Sequence, residues 1–161
     1  VRIREGQRFT VGGVIGFEEG SAELRPECCD ELMAIATRVR GLEHKIEIRG
    51  HTSAVPLPVD SPYADHMDLS YARARAVSAW LTGTTDDRGR IDARRIRVEA
   101  AGPYEPLVHR AYDQPAWSRN DRVDIMMIEA LTTEFEGEPG ADGAQTALSD
   151  GPMGETYVAG K

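Results

Sequence analysis

The chain has 161 residues, 40% of them hydrophobic and only 6% aromatic, with a formal charge of -8; that is enough apolar material for one aliphatic core. A nucleic-acid or anionic-membrane partner needs a concentrated basic face, which such a balance argues against. No stretch reaches the roughly 20 apolar residues that a membrane-spanning helix requires.

Charge is unevenly spread. Residues 134–161 carry six acidic residues and one lysine, a net of -5, leaving -3 for the remainder. No signal peptide opens the chain, and it starts at Val1 rather than Met. We therefore read it as a fragment that leaves room for a targeting segment upstream.

Residues Arg8 to Phe17 alternate weakly and are rich in Gly and Val, which predicts a first strand; the Gly12-Gly13 pair within it suits a bulge or close packing. The loop Glu18-Glu19-Gly20-Ser21 follows. Pro26 fits a first helical turn, Glu27, Asp30 and Glu31 suit the positive end of the helix dipole, and Gly41 suits the stop. Between them Cys29, Leu32, Met33, Ala36 and Val39 recur at helical spacing, a core-facing stripe.

Lys45 to Gly50 alternates Ile46 and Ile48 against Glu47 and Arg49, the pattern of a half-buried strand. Ser53 to Asp68 holds Pro56, Pro58 and Pro62 and reads as a long loop lying beside the end of that strand. Ser70 suits a helix N-cap, and Ala72, Ala76, Val77, Trp80 and Leu81 give a buried stripe that runs until Gly83. A polar connection over Thr84 to Arg90 leads to a strand over Arg95 to Ala101, which Gly102-Pro103 ends.

A short helix around Asp113 to Ser118 precedes a last strand over Arg122 to Glu129, apolar enough on both faces to lie centrally. The order β-α-β-α-β-(α)-β predicts an α/β (α+β) two-layer sandwich: a four-stranded mixed sheet with both long helices on one face. The domain spans 1–133. The acidic, Gly-rich tail 134–161 buries too little apolar surface to offset its ordering entropy, and we expect it to be disordered.

Signals for chemistry are sparse. Cys28 and Cys29 are adjacent in a helical pattern, so their side chains point about 100 degrees apart, which suits neither a relaxed disulfide nor zinc spacing. They read as small packing residues. His44, His51, His66 and His109 show no chelating spacing, so no metal is expected. No Gly-x-Ser-x-Gly, phosphate-loop or dinucleotide fingerprint occurs, and no cofactor or catalytic residue is assigned.

Three clusters stand out instead: Gly50-His51-Thr52, Leu69-Ser70-Tyr71-Ala72-Arg73-Ala74 and Asn120-Asp121-Arg122-Val123. Each falls at the end of an element, where sites are built. In this order they resemble the motifs of the OmpA-like domain found in outer-membrane anchors and in the MotB flagellar stator subunit, over about Val11 to Ile128. The resemblance implies non-catalytic binding to the peptide stem of peptidoglycan.

What the resemblance implies can be followed residue by residue. Arg73 stands at the family's Arg of Leu-Ser-x-x-Arg-Ala, expected to hold a stem carboxylate from the first turn of its helix. Asn120 and Arg122 match the Asn and second Arg of Asn-Arg-Arg-Val, the intervening Arg being Asp121 here. Arg122 either closes the pocket over the carboxylate or ties the last strand to a neighbouring loop. Thr52 is expected to cap its turn, and His51 to bond a backbone carbonyl. Leu69 opens the second motif.

Two departures bear on the ammonium of the stem. The first motif ends in Asp in the family and in Ser53 here, and a hydroxyl supplies no charge. The Asn three residues before the motif Leu is His66. Asp60, Asp65 or Asp68 could restore a carboxylate, with Asp65 adjoining the replaced position.

The run Phe17-x-x-Gly20-Ser21-Ala22-Glu23-Leu24 and the proline-bearing insertion resemble the MotB-like branch. That branch implies a periplasmic domain, usually a homodimer, attached to the membrane only through a segment absent from this chain. A second reading, motivated by Ser53 and His66, treats the domain as a scaffold that has lost wall binding and serves protein–protein contacts in the envelope.

Overall fold

The computed structural model describes residues 8–10, 14–83 and 90–137. The first strand comes in two pieces, β1 (Arg8–Thr10) and β2 (Ile15–Gly16), followed by α1 (Cys28–Val39), β3 (His44–His51), α2 (His66–Leu81), β4 (Ile96–Gly102), α3 (Gln114–Ser118) and β5 (Arg122–Leu131). Gly12 and Gly13, between the two pieces, lie outside the described residues, as does most of the polar connection after Gly83 and the tail beyond Gly137.

The sheet runs β1–β5–β3–β4, with β2 beside β5 as well. β1 and β2 occupy successive stretches of the same β5 edge, Arg8 facing Ile128 and Ile15 facing Val123. The sheet is therefore four strands wide, as expected, with its first strand interrupted. It is mixed: β3 pairs parallel with β4 and antiparallel with β5. The parallel pair needs a crossover, which α2 supplies.

The core lies between sheet and helices. Ile15, Ile46, Ile48, Val123 and Ile125 meet Leu32, Ile35, Ala36 and Val39 of α1 and Ala74, Val77, Trp80 and Leu81 of α2. The buried stripe of α1 is Cys28, Leu32, Ile35, Ala36 and Val39, rotated from the expected one, with Cys29 and Met33 only packing against its edge. Both cysteines are free thiols, Cys28 buried.

α2 begins earlier than expected. Asp65, in extended conformation, caps it by accepting from the Asp68 N–H at 2.8 Å, so Ser70 is not the cap. Ser70 instead lies within the helix and is buried, its Oγ accepting from the Gly102 N–H at 3.1 Å and donating to the Met67 carbonyl. That bond ties α2 to the end of β4. Gly50 makes the approach to β3 feasible: a Cβ there would lie 1.8 Å from the Ser70 carbonyl oxygen.

Candidate functional site

The three motifs converge at one end of the sheet, where β3 and β4 finish and β5 starts. Thr52 follows β3 and donates its N–H to the Gly102 carbonyl at 3.0 Å, which lays the Thr52–Ser53 turn against the end of β4. Asp121 precedes β5, and its Oδ1 accepts from the Ser53 N–H at 3.0 Å and from Arg73 Nη1 at 2.6 Å. Both members of that ion pair are enclosed, Arg73 at 0% exposure and Asp121 at 1%.

Arg73 corrects the sequence expectation in two respects. It is in the third turn of α2, not the first, so the free N–H groups of the helix start do not flank it. Its guanidinium is also committed inward: Nε donates to the Ser21 carbonyl at 2.8 Å, Nη1 to the His51 carbonyl at 2.9 Å and Nη2 to the Glu18 carbonyl at 2.8 Å. The Phe17 ring lies 5.4 Å from its centre. Arg73 thus fastens the loop after β2 and the end of β3 onto α2, behind the Asp121 carboxylate, and it does not project into an open cleft.

Thr52, Ser53, His66 and Leu69 do come together. With Asp121 and the Val55–Pro58 segment they line a cavity of about 30 Å³. Three polar atoms of these residues are buried without a hydrogen-bond partner among protein groups: Thr52 Oγ1, His66 Nδ1 and Asp121 Oδ2. Thr52 Oγ1 thus makes no cap. A groove of about 390 Å³ adjoins the cavity, sharing Thr52 and Val55 with it and bounded by Pro103, Arg110, Trp117 and Asn120.

Asp65, Asn120 and Arg122 each have internal partners. Asp65 is an exposed helix cap outside the small cavity. Asn120 clamps the loop before α3, accepting from the Val108 N–H at 2.9 Å and donating to the Val108 carbonyl at 3.1 Å, while its body borders the groove. Arg122 ties β5 to a neighbouring loop, the second of its two readings, donating to both Asp124 oxygens and to the Glu105 carbonyl at 3.3 Å.

His51 is buried with Nε2 3.1 Å from Asp124 Oδ2, in place of the backbone carbonyl expected for it. Burial raises the Asp124 carboxyl, but the hydrogen bonds and charges of His51 and Arg122 outweigh it and hold the group below the usual carboxylate range. Among the described residues no group of three or more His, Cys, Asp or Glu could hold a metal ion, and no helix is long and apolar enough to cross a membrane.

Sequence reasoning missed Asp121, Arg110 and Trp117. Asp121 stood inside the third motif, where an acid was the one departure from the resemblance. Arg110 and Trp117 lie outside the three motifs and had no such signal.

Comparison with known proteins fits this geometry. The sequence pattern of the OmpA family matches residues 16–120, more than half of the chain. Among solved structures, the cell wall anchor of the T6SS from Pseudomonas aeruginosa is 30% identical, with 69% of this chain and 73% of that one covered at a TM-score of 0.53. The C-terminal domain of Helicobacter pylori MotB is 21% identical over 70% of this chain and 81% of its own, with a TM-score of 0.60. The peptidoglycan-associated lipoprotein from Burkholderia pseudomallei is 20% identical over 72% and 89%, with a TM-score of 0.58. A comparison with curated protein sequences finds no match.

Proposed function

The chain belongs to the OmpA family, and from that premise we propose that its domain binds the peptide stem of peptidoglycan without catalysis and anchors an envelope protein to the cell wall. The observation that carries this reading is the meeting of Thr52, Ser53, His66, Leu69 and Asp121 around one cavity that opens beside a larger groove. The groove holds about 390 Å³. Its exposed Arg110 is a cation available to a stem carboxylate, the role that the enclosed Arg73 cannot take without giving up its internal bonds. The T6SS cell wall anchor, 30% identical, supports wall attachment as the task.

The finer reading is a MotB-like stator subunit in the periplasm, dimeric, and attached to the membrane through a segment outside this chain. It rests on the run from Phe17 to Leu24 and on the proline-bearing insertion, since the MotB structures at this identity carry the fold alone.

Cosedimentation with purified peptidoglycan sacculi tests the proposal. The domain should pellet saturably and release no soluble muropeptide. A domain that stays in the supernatant while crosslinking to envelope proteins would favour the scaffold reading, which the Ser53 substitution and the enclosure of Arg73 support. Release of muropeptides would turn the reading towards hydrolysis.

A further inference from the structure

Wall binding needs an acceptor for the ammonium of the stem peptide, and Ser53 offers none with a charge. Resting on the wall-binding reading, we infer that Asp121 supplies this acceptor from the opposite motif, its Oδ2 receiving a primary ammonium in the cavity beneath the Val55–Pro58 segment. Asp121 Oδ1 is occupied by Arg73 and by the Ser53 N–H, which fixes the carboxylate against the very turn whose own side chain has lost its charge. Oδ2 is buried and has no protein partner.

The surroundings suit an ammonium rather than an anion or a neutral group. An ammonium carries three N–H donors in a compact head. The residues lining the cavity hold three buried acceptors without partners: Asp121 Oδ2, Thr52 Oγ1, and His66 Nδ1 in the tautomer protonated on Nε2. At about 30 Å³ the cavity has room for a head the size of a water molecule, as an ammonium is. A carboxylate entering here would meet Asp121, an unfavourable contact.

The carboxylate lies against Arg73 and is presented from the start of β5. His66 and Thr52 then act as specificity residues, since each adds a directional acceptor around the same head.

The test compares untreated sacculi with sacculi whose free amines have been acetylated, using the wild type, Asp121→Asn and the double variant Ser53→Asp/Asp121→Asn, each checked for folding by its thermal transition. Wild type should bind acetylated sacculi roughly tenfold or more weakly. Asp121→Asn should lose a similar factor on untreated sacculi, and the double variant, with the carboxylate returned to the turn, should regain it. If Asp121→Asn fails to fold, the double variant and the acetylated sacculi still decide. Equal binding of wild type to both kinds of sacculi, or full binding by folded Asp121→Asn, overturns the assignment of Asp121 and leaves wall binding standing. A wild type that binds neither overturns wall binding itself, and this assignment with it.

Discussion

At the scale of single residues, this domain rests on a few enclosed polar groups. Arg73 and Asp121 form an ion pair with almost no exposed surface. Removing one partner of such a pair leaves the other charge stranded, so Arg73→Met should lower stability by about 3–5 kcal/mol, read from urea unfolding. Gly50 has a steric rather than electrostatic role. In Gly50→Ala the new methyl would sit 1.8 Å from the Ser70 carbonyl oxygen and 2.7 Å from its carbon, so α2 must move away from β3 at a cost of about 3 kcal/mol. Asp124 gives the domain a pH signature. Its carboxyl is held below the usual range in the folded state, so the stability it contributes is fully present above the unfolded value of about 4 and is lost as pH falls through the folded one. Thermal unfolding of Asp124→Asn should therefore vary less with pH below about 4 than that of the wild type.

At the scale of elements, the start of α2 separates what the sequence reveals from what it hides. Ser70 precedes an Ala-rich stripe and looks like a cap, yet the helix opens at His66 because Asp65 and Asp68 bond each other's backbone surroundings: Asp65 Oδ1 takes the Asp68 N–H and Asp68 Oδ2 takes the Ala64 N–H. Of the apolar residues this adds, Leu69 lies on the buried face and Met67 is exposed, so the hydrophobic pattern alone marks the start poorly. The early start places Arg73 deep in the helix and makes Asp65 structural. Asp65→Ala should then cost about 1 kcal/mol of stability and leave binding to sacculi unchanged. A loss of binding without loss of fold would return Asp65 to the ligand site. The strands were more legible, since Ile46 and Ile48 alternate with Glu47 and Arg49, and β5, apolar on both faces, lies between the two pieces of the first strand and β3.

At the scale of the whole molecule, the period and order of the elements were enough to read the two-layer fold, since elements pack by period and connection length. The site was less legible, because its key contact spans 68 positions, from Ser53 to Asp121, and no local pattern reports which side chain meets which across a sheet. The proposed ligand site lies at a single end of the domain, in the cavity of Thr52, Ser53, His66, Leu69 and Asp121 and the adjoining groove of Arg110 and Trp117. A separate cavity of about 320 Å³, around Arg40, Arg94 and Thr132, lies towards the other end of β3. The most direct measurement is amide chemical-shift mapping during titration with a soluble muropeptide whose stem carries a free amine. Shifts confined to Thr52, Ser53, Leu69, Asp121 and the Arg110 side of the groove are expected; no shifts, or shifts centred on Arg40, Arg94 and Thr132, would contradict wall binding at this end of the domain.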